Sequence, residues 1–187
     1  LNELGPIAVR SSAVGEDSQH RSYAGQYISF LNVDTSTAVE KAIIAVRESA
    51  FSKRVKLYNE RFGITDAPKM AVILQQMVAA EVSGILFTQD PVSKADEMIV
   101  EASRGFGESV ASGQVTPDLF RLSMAGRIIE QKYGNGIAPS VCLNEAELQR
   151  IHSLAVRCQR LFGKELDMEW AFDQHKLYLL QCRPITC

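Results

Sequence analysis

The side chains best able to do chemistry lie near the C-terminus, in the stretches ELDMEWAF (165–172) and LYLLQCRP (177–184). Read as strands, alternate residues share a face, so Asp167 and Glu169 point one way while Leu166, Met168, Trp170 and Phe172 point the other. Gln181 and Arg183 likewise share a face, opposite Tyr178, Leu180 and Cys182. A connecting loop with an odd number of residues, such as Asp173-Gln174-His175, sets Asp167 across from Gln181 and gathers all four polar groups on one surface. Two carboxylates, an amide oxygen and a guanidinium suit a divalent cation bridged to a polyphosphate. Mg²⁺ takes oxygen ligands and keeps phosphate oxygens in its shell, while an arginine neutralises charge on the transferred group. Spacing alone equally accommodates a solvent face with one carboxylate–arginine pair, worth about 0 to 1 kcal/mol.

A second candidate is VRSSAVGEDSQHRSYAGQ, which follows the apolar run Ile7-Ala8-Val9. Small hydroxyl residues (Ser11, Ser12), glycines (Gly15, Gly25) and Arg10 form a composition that lets backbone N–H groups approach phosphate oxygens. It is no Walker A loop, since GxxxxGK[ST] occurs nowhere. Gly105-Phe106-Gly107 begins like GxGxxG, but Val110 stands at the third glycine position and a Rossmann site is discounted.

The elements that must hold these groups read as α+β. Gln26–Val33 has strand composition, and Asp34, Thr35 and Ser36 offer N-caps. From Thr37, Val39, Ile43, Val46 and Ala50 recur on one helical face, and the pattern can run through Val55 and Phe62 to Gly63 as one long helix or two joined ones. Lys69–Val78, Gly84–Thr88 and Met98–Ala102 look like adjacent strands of one sheet, and Gly105–Pro117 like an irregular glycine-containing segment. Asp118–Ser123 and Arg127–Lys132 flank Ala125-Gly126 as a hairpin. Asn144 and Glu147 form a capping box before a helix with the stripe Leu148, Ile151, Ala155, Cys158 and Phe162, ending at Gly163. Two closing strands, Glu165–Phe172 and Lys176–Arg183, complete the pattern without strict βαβ alternation.

Composition narrows the partners. The 187 residues carry 20 Lys+Arg against 22 Asp+Glu, a formal net charge of -2, which lacks the basic excess that a nucleic-acid backbone calls for. No apolar run approaches the roughly 18 to 20 residues of a bilayer span, and no basic-then-apolar leader precedes Asn2. Cys142, Cys158, Cys182 and Cys187 show no CxxC spacing and read as reduced thiols of a cytoplasmic protein. Leu1 enters almost directly on a strand and loop, which reads as part of a longer architecture.

Four ordered segments carry a family resemblance: IAVRSSAVGEDSQHRSYAGQYISFLNV, VILQQMVAAEVSGILFTQDPV, EASRGFGESVASGQVTPD and LDMEWAFDQHKLYLLQCRPIT. In this order they resemble the ATP-binding module of phosphoenolpyruvate synthase, pyruvate phosphate dikinase and rifampin phosphotransferase, from Ile7 to Thr186. The resemblance implies an ATP-grasp-like α+β fold, with residues 1–187 forming a partial ATP-binding domain whose first lobe, with an ATP-contacting lysine, is largely missing. It implies that Arg10 contacts the phosphates and that Gly25 and Ser29 line the phosphate side, although many relatives carry Thr at the Ser29 position. Gln76 matches the strand beside adenine, Glu169 and Gln181 the metal and phosphate ligands, Asp167 the companion carboxylate, and Arg183 the arginine that stabilises transfer.

The implied cofactors are ATP and Mg²⁺. The implied partner is a phosphohistidine carrier on a separate swivelling domain, which then phosphorylates pyruvate or another acceptor. Phosphoenolpyruvate synthase is the leading parent, followed by rifampin phosphotransferase and pyruvate phosphate dikinase. A non-catalytic regulatory module that kept the fold is the reading from another class. The family's Gly/Thr-Ser-His carrier sequence does not occur, so His20, His152 and His175 are not assigned as carriers. The chain by itself is expected to bind ATP weakly and to be inactive.

Overall fold

A computed structural model describes residues 5–18, 21–23, 25–65, 69–105, 116–134, 142–163 and 165–185. The chain divides into two compact units, Leu1–Met77 and Val78–Cys187.

In the first unit, strand β1 (Ile7–Ala13) lies between β4 (Phe30–Val33) and β5 (Met70–Gln76), antiparallel to both. The two-residue strands β2 (Asp17–Ser18) and β3 (Arg21–Ser22) pair with each other in the loop after β1. Helix α1 (Ser36–Ser49) starts where the Thr35 side chain accepts the Ala38 N–H, and it buries Val39, Ala42 and Val46 with Ile7, Val9 and Val33. The second helix of the sequence pattern, α2 (Lys53–Arg61), is separate. The Ser52 side chain accepts the Val55 N–H, so a new cap forms where the chain turns after Ala50. The strand read over 26–33 is limited to its last four residues.

The second unit is built on six antiparallel strands in the order β11-β10-β6-β7-β8-β9. They are β6 (Val82–Phe87), β7 (Glu97–Arg104), β8 (Asp118–Ser123), β9 (Ile128–Lys132), β10 (Leu166–Asp173) and β11 (Lys176–Pro184). Helix α3 (Glu145–Phe162) opens with the expected capping box of Asn144 and Glu147. Its buried Leu148, Ile151, Ala155 and Cys158 pack with Leu86, Met98, Val100, Phe120, Leu122, Met168 and Trp170. Each large apolar side chain so buried contributes about 1.5 to 3 kcal/mol. Phe162, read as part of that stripe, is 62% exposed in the helix's last turn. Gly84 makes room for this core: a Cβ there would stand 1.8 Å from the Glu101 carbonyl oxygen and 2.7 Å from the Trp170 ring.

Two expectations are corrected. The run 69–78 does not join the strands that follow it, because β5 pairs with β1 across the whole of Ile7–Ala13 while β6 and β7 belong to the larger sheet. The closing hairpin turns through two residues, Gln174 and His175, with φ of 43° and 67°, and Asp173 pairs directly with Lys176. Two successive positive φ values are the geometry of the tight turn whose twist matches that of paired strands. The expected glycine-containing segment falls mostly on 106–115, outside the described residues.

Candidate functional site

The β10–β11 hairpin sets the geometry of the polar group predicted from sequence. Asp167 stands opposite Arg183, and Glu169 opposite Gln181. This corrects the expected register of Asp167 against Gln181. The two-residue turn alone would set an odd offset, and an irregularity between Glu169 and Trp170 restores the other by letting Leu180 pass without a partner. Directly opposed residues share a face, so all four polar side chains are on one surface of the sheet. On the turn side of that irregularity the register of the two-residue turn holds: Tyr178 stands opposite Ala171, on that surface, and Trp170 has the partner Leu179, so Leu180 is not the core residue that simple alternation suggests. Trp170, in contrast, is fully buried on the α3 side.

Arg183 grips Asp167 with both a side-on and a terminal nitrogen. Nε donates to Oδ2 at 2.8 Å and Nη2 approaches the same oxygen at 2.7 Å, with the two side chains 24% and 14% exposed. An aspartate held in this way fixes the guanidinium plane beside the Glu169–Gln181 pair. The strand pairings then carry both doublets across the sheet. Asp167 is in register with Phe87, Ile99 and Arg121 on successive strands, and Glu169 with Ile85, Glu101 and Leu119. Glu101 therefore joins the row of Glu169, about 10 Å away along the hydrogen-bonding direction with Ile85 between. Sequence reading missed it, although MIVEAS places Glu101 on the face of Ile99; which strand lies beside which was the missing information.

The donor types fit a hard divalent cation: two carboxylates and an amide oxygen on one face, with room in the coordination shell for phosphate oxygens. Among the described residues no three His, Cys, Asp or Glu side chains cluster closely enough to hold a metal by themselves. A cation here thus depends on Gln181 and on oxygens that a ligand brings.

A second ionic cluster lies on the same face. Arg121 reaches Asp90 at 2.8 Å, Glu97 at 3.0 Å and Glu130 at 3.1 Å, and Lys132 reaches Glu130 at 2.9 Å. Asp90 is buried and also accepts the Val92 and Ser93 N–H groups, which with Arg121 hold its carboxyl well below the usual range. Its partners among the described residues are from this unit, and they fix the loop between β6 and β7.

In the first unit, Arg10 lies on β1 opposite Ile73 and is part-buried, while Gln76, at the end of β5 opposite Ile7, is exposed. Gly25 and Ser29 are exposed in the segment before β4. Gly25 has φ +65°, a conformation that glycine adopts freely. The segment is anchored to α2: Tyr23 donates to Asn59 at 2.7 Å, Arg54 to Gln26 at 3.1 Å, and the Tyr23 ring contacts those of Tyr27 and Tyr58. Burial pushes the Tyr27 hydroxyl up to about 12, so it stays protonated. In the RSSAVGED loop the expected availability of backbone N–H groups is not met at three positions. Glu16 accepts from Ser11 Oγ and from Ala13 N–H, each at 2.7 Å, Val14 N–H bonds to Lys69, and Glu16 N–H to Ala13. His20 is outside the described residues; His152 sits on α3 beside the Met124 carbonyl, and His175 in the tight turn.

Comparison with known proteins identifies the family. The family model "Pyruvate phosphate dikinase, AMP/ATP-binding domain" matches residues 2–136 and 129–187. The chain is 34% identical to an uncharacterized phosphotransferase YvkC of Bacillus subtilis, 36% to a rifampicin phosphotransferase of Streptomyces sviceus and 31% to a probable phosphoenolpyruvate synthase of Methanocaldococcus jannaschii. Each match covers 96% of this chain and 24%, 23% and 17% of the relative, respectively, so the chain spans about a fifth of the length of these relatives. The chain belongs to the pyruvate phosphate dikinase AMP/ATP-binding domain family.

Proposed function

We propose that this member of the AMP/ATP-binding domain family is the nucleotide-holding part of a Mg-ATP-dependent phosphotransferase, and that the β10–β11 face handles the phosphates. The observation that carries the reading is the pair of cross-strand doublets, Asp167 with Arg183 and Glu169 with Gln181. Alternation along two strands puts them on one face, and the irregularity at Leu180 keeps them there. In this reading Glu169 and Gln181 hold phosphate oxygens and a divalent cation, which when bound supplies charge neutralisation of the triphosphate. Asp167 holds the Arg183 guanidinium in its plane, so that its charge meets the transferred group without reorganising. Arg10 contacts phosphate from β1, Gly25 and Ser29 leave space for it, and the backbone at Gln76 reads the edge of adenine. The phosphoryl or pyrophosphoryl group passes to a histidine on another domain and from there to an acceptor. Pyruvate is the leading acceptor, since relatives include probable phosphoenolpyruvate synthases, and a rifamycin-type antibiotic is the second.

The test uses the longer protein that carries this chain. Incubation with γ- or β-labelled Mg-ATP, without acceptor, is expected to leave an acid-labile, base-stable label on a histidine outside residues 1–187. Nucleotide binding with no such label in any acceptor-free reaction would favour a regulatory module instead.

A further inference from the structure

Between β3 and β4, residues 25–29 belong to no strand or helix, so no ladder holds them. What holds them is Tyr23, which is 8% exposed and stands just before Gly25. The Tyr23 hydroxyl donates to Asn59 Oδ1 of α2 at 2.7 Å. Its ring stacks on Tyr27 at 5.2 Å and meets Tyr58 of α2 at 4.7 Å, and Tyr58 in turn meets Phe62 at 4.6 Å. The backbone is tied at the same point: the Tyr23 N–H donates to the Glu16 carbonyl at 3.2 Å, and the Gln26 N–H to the Tyr23 carbonyl at 2.8 Å. Of the residues in α2, Val55 alone is buried. The helix thus gives little to the apolar core of its unit and much to this segment.

We propose that Tyr23 and Asn59 are positioning residues for the nucleotide: through the Tyr23 hydroxyl, α2 fixes the segment that carries Gly25 and Ser29. The inference rests on the function proposed above, in which those two residues leave space for phosphate. A segment without strand pairing takes its position from the points where it is tied down. Ring stacking permits a ring to slide within its own plane, whereas an O–H donated to an amide oxygen is directional and stops that slide. The bond to Asn59 therefore locates the Tyr23 backbone, and Gly25, with φ +65°, turns the chain away from it in a conformation that glycine adopts freely. Removing the hydroxyl leaves the rings packed and the unit folded but lets the segment shift. Phosphate is held there in the ground state and during transfer alike, so the cost falls on nucleotide affinity rather than on the rate at saturation.

The test uses the longer protein with Tyr23→Phe, Asn59→Leu and the double variant. The dissociation constant for Mg-ATP, measured by calorimetry, should rise about two- to tenfold in each single variant, the range that one lost hydrogen bond supplies. Labelling of the histidine at saturating Mg-ATP should keep its wild-type rate. The double variant should cost no more than the larger single, since both changes remove the same bond. Chymotrypsin cleavage after Tyr27 in the folded, nucleotide-free protein should quicken in all three variants, which reads the segment without any nucleotide. Faster cleavage with an unchanged dissociation constant would overturn the proposal, because α2 would then hold the segment without serving the nucleotide. Additive single effects, a fall in the saturated rate alone, or no change in either readout would overturn it as well. Absence of label in a wild-type protein that binds Mg-ATP counts against the transfer reaction and leaves the affinity test in force; absence of binding in wild type overturns both. If Asn59→Leu fails to fold, Tyr23→Phe, which keeps the ring, decides the matter.

Discussion

Two aspartate–arginine pairs lie on the same face of the six-stranded sheet, and they differ in what surrounds them. Arg121 is shared among Asp90, Glu97 and Glu130, and Asp90 also accepts two backbone N–H groups of its own loop. Together those contacts close the β6–β7 loop on itself and tie it, through Arg121, to β7, β8 and β9. Arg183 meets Asp167 in a direct cross-strand pair, next to a second cross-strand pair of Glu169 and Gln181. The first arrangement answers the question of how a loop is held. The second puts a carboxylate, an amide and an oriented guanidinium side by side on a rigid hairpin, which stability alone does not call for. Residue type does not separate the two; the partners do.

Substitutions can break or sharpen that contrast. The largest effect is expected from Arg183→Lys in the longer protein. Lysine keeps the charge but loses the planar two-pronged donor, so single-turnover transfer from labelled ATP should fall roughly 10² to 10³-fold, about 2.7 to 4 kcal/mol, with little change in thermal midpoint. Wild-type transfer with a lowered midpoint would make Arg183 a structural partner of the same kind as Arg121.

Arg121→Ala should do the reverse. It leaves the buried Asp90 without its guanidinium, so the thermal midpoint should drop by several degrees while transfer per folded molecule stays near wild type. A specific loss of transfer at full stability would put the second cluster in the chemistry.

A smaller effect concerns acid. The Val92 and Ser93 N–H groups and Arg121 hold the Asp90 carboxyl below its unfolded value, so its stabilisation is fully present above the unfolded range near about 4 and is lost as pH falls below that. Asp90→Asn should therefore flatten the fall of stability below about pH 4, as measured by denaturant midpoints across the acid range. An unchanged acid limb would show that other carboxylates dominate it.

The same contrast shows how far residue order alone carries the argument. Strict alternation in ELDMEWAF placed Asp167 and Glu169 on one face and Trp170 in the core, and the structure agrees. The register was not legible, because Gln174-His175 lacks the asparagine or glycine that marks a tight two-residue turn, and nothing in LYLLQCRP marks Leu180 as the residue that slips out of alternation. Asn144 and Glu147 announced α3, since a capping box is a local device whose parts are close in sequence. Strand neighbours are not local. Placing β5 with β1, and Glu101 in the row of Glu169, required the sheet order itself. Glu16 shows the same limit in the first unit: the serines, glycines and Arg10 of its loop read as a composition open to phosphate, and Glu16, not singled out, turns back to bind Ser11 and Ala13.

The central claim is that the Glu169–Gln181 side of the hairpin contacts the phosphates of a bound nucleotide with its cation. Calorimetric titration of Mg-ATP into the longer protein tests it most directly, comparing wild type with Glu169→Gln and with Asp90→Asn at pH 7. The account predicts that Glu169→Gln weakens binding roughly tenfold or more, equivalent to about 1.4 kcal/mol, and that Asp90→Asn leaves it unchanged. Equal affinities for Glu169→Gln and wild type, with both proteins folded, would contradict it.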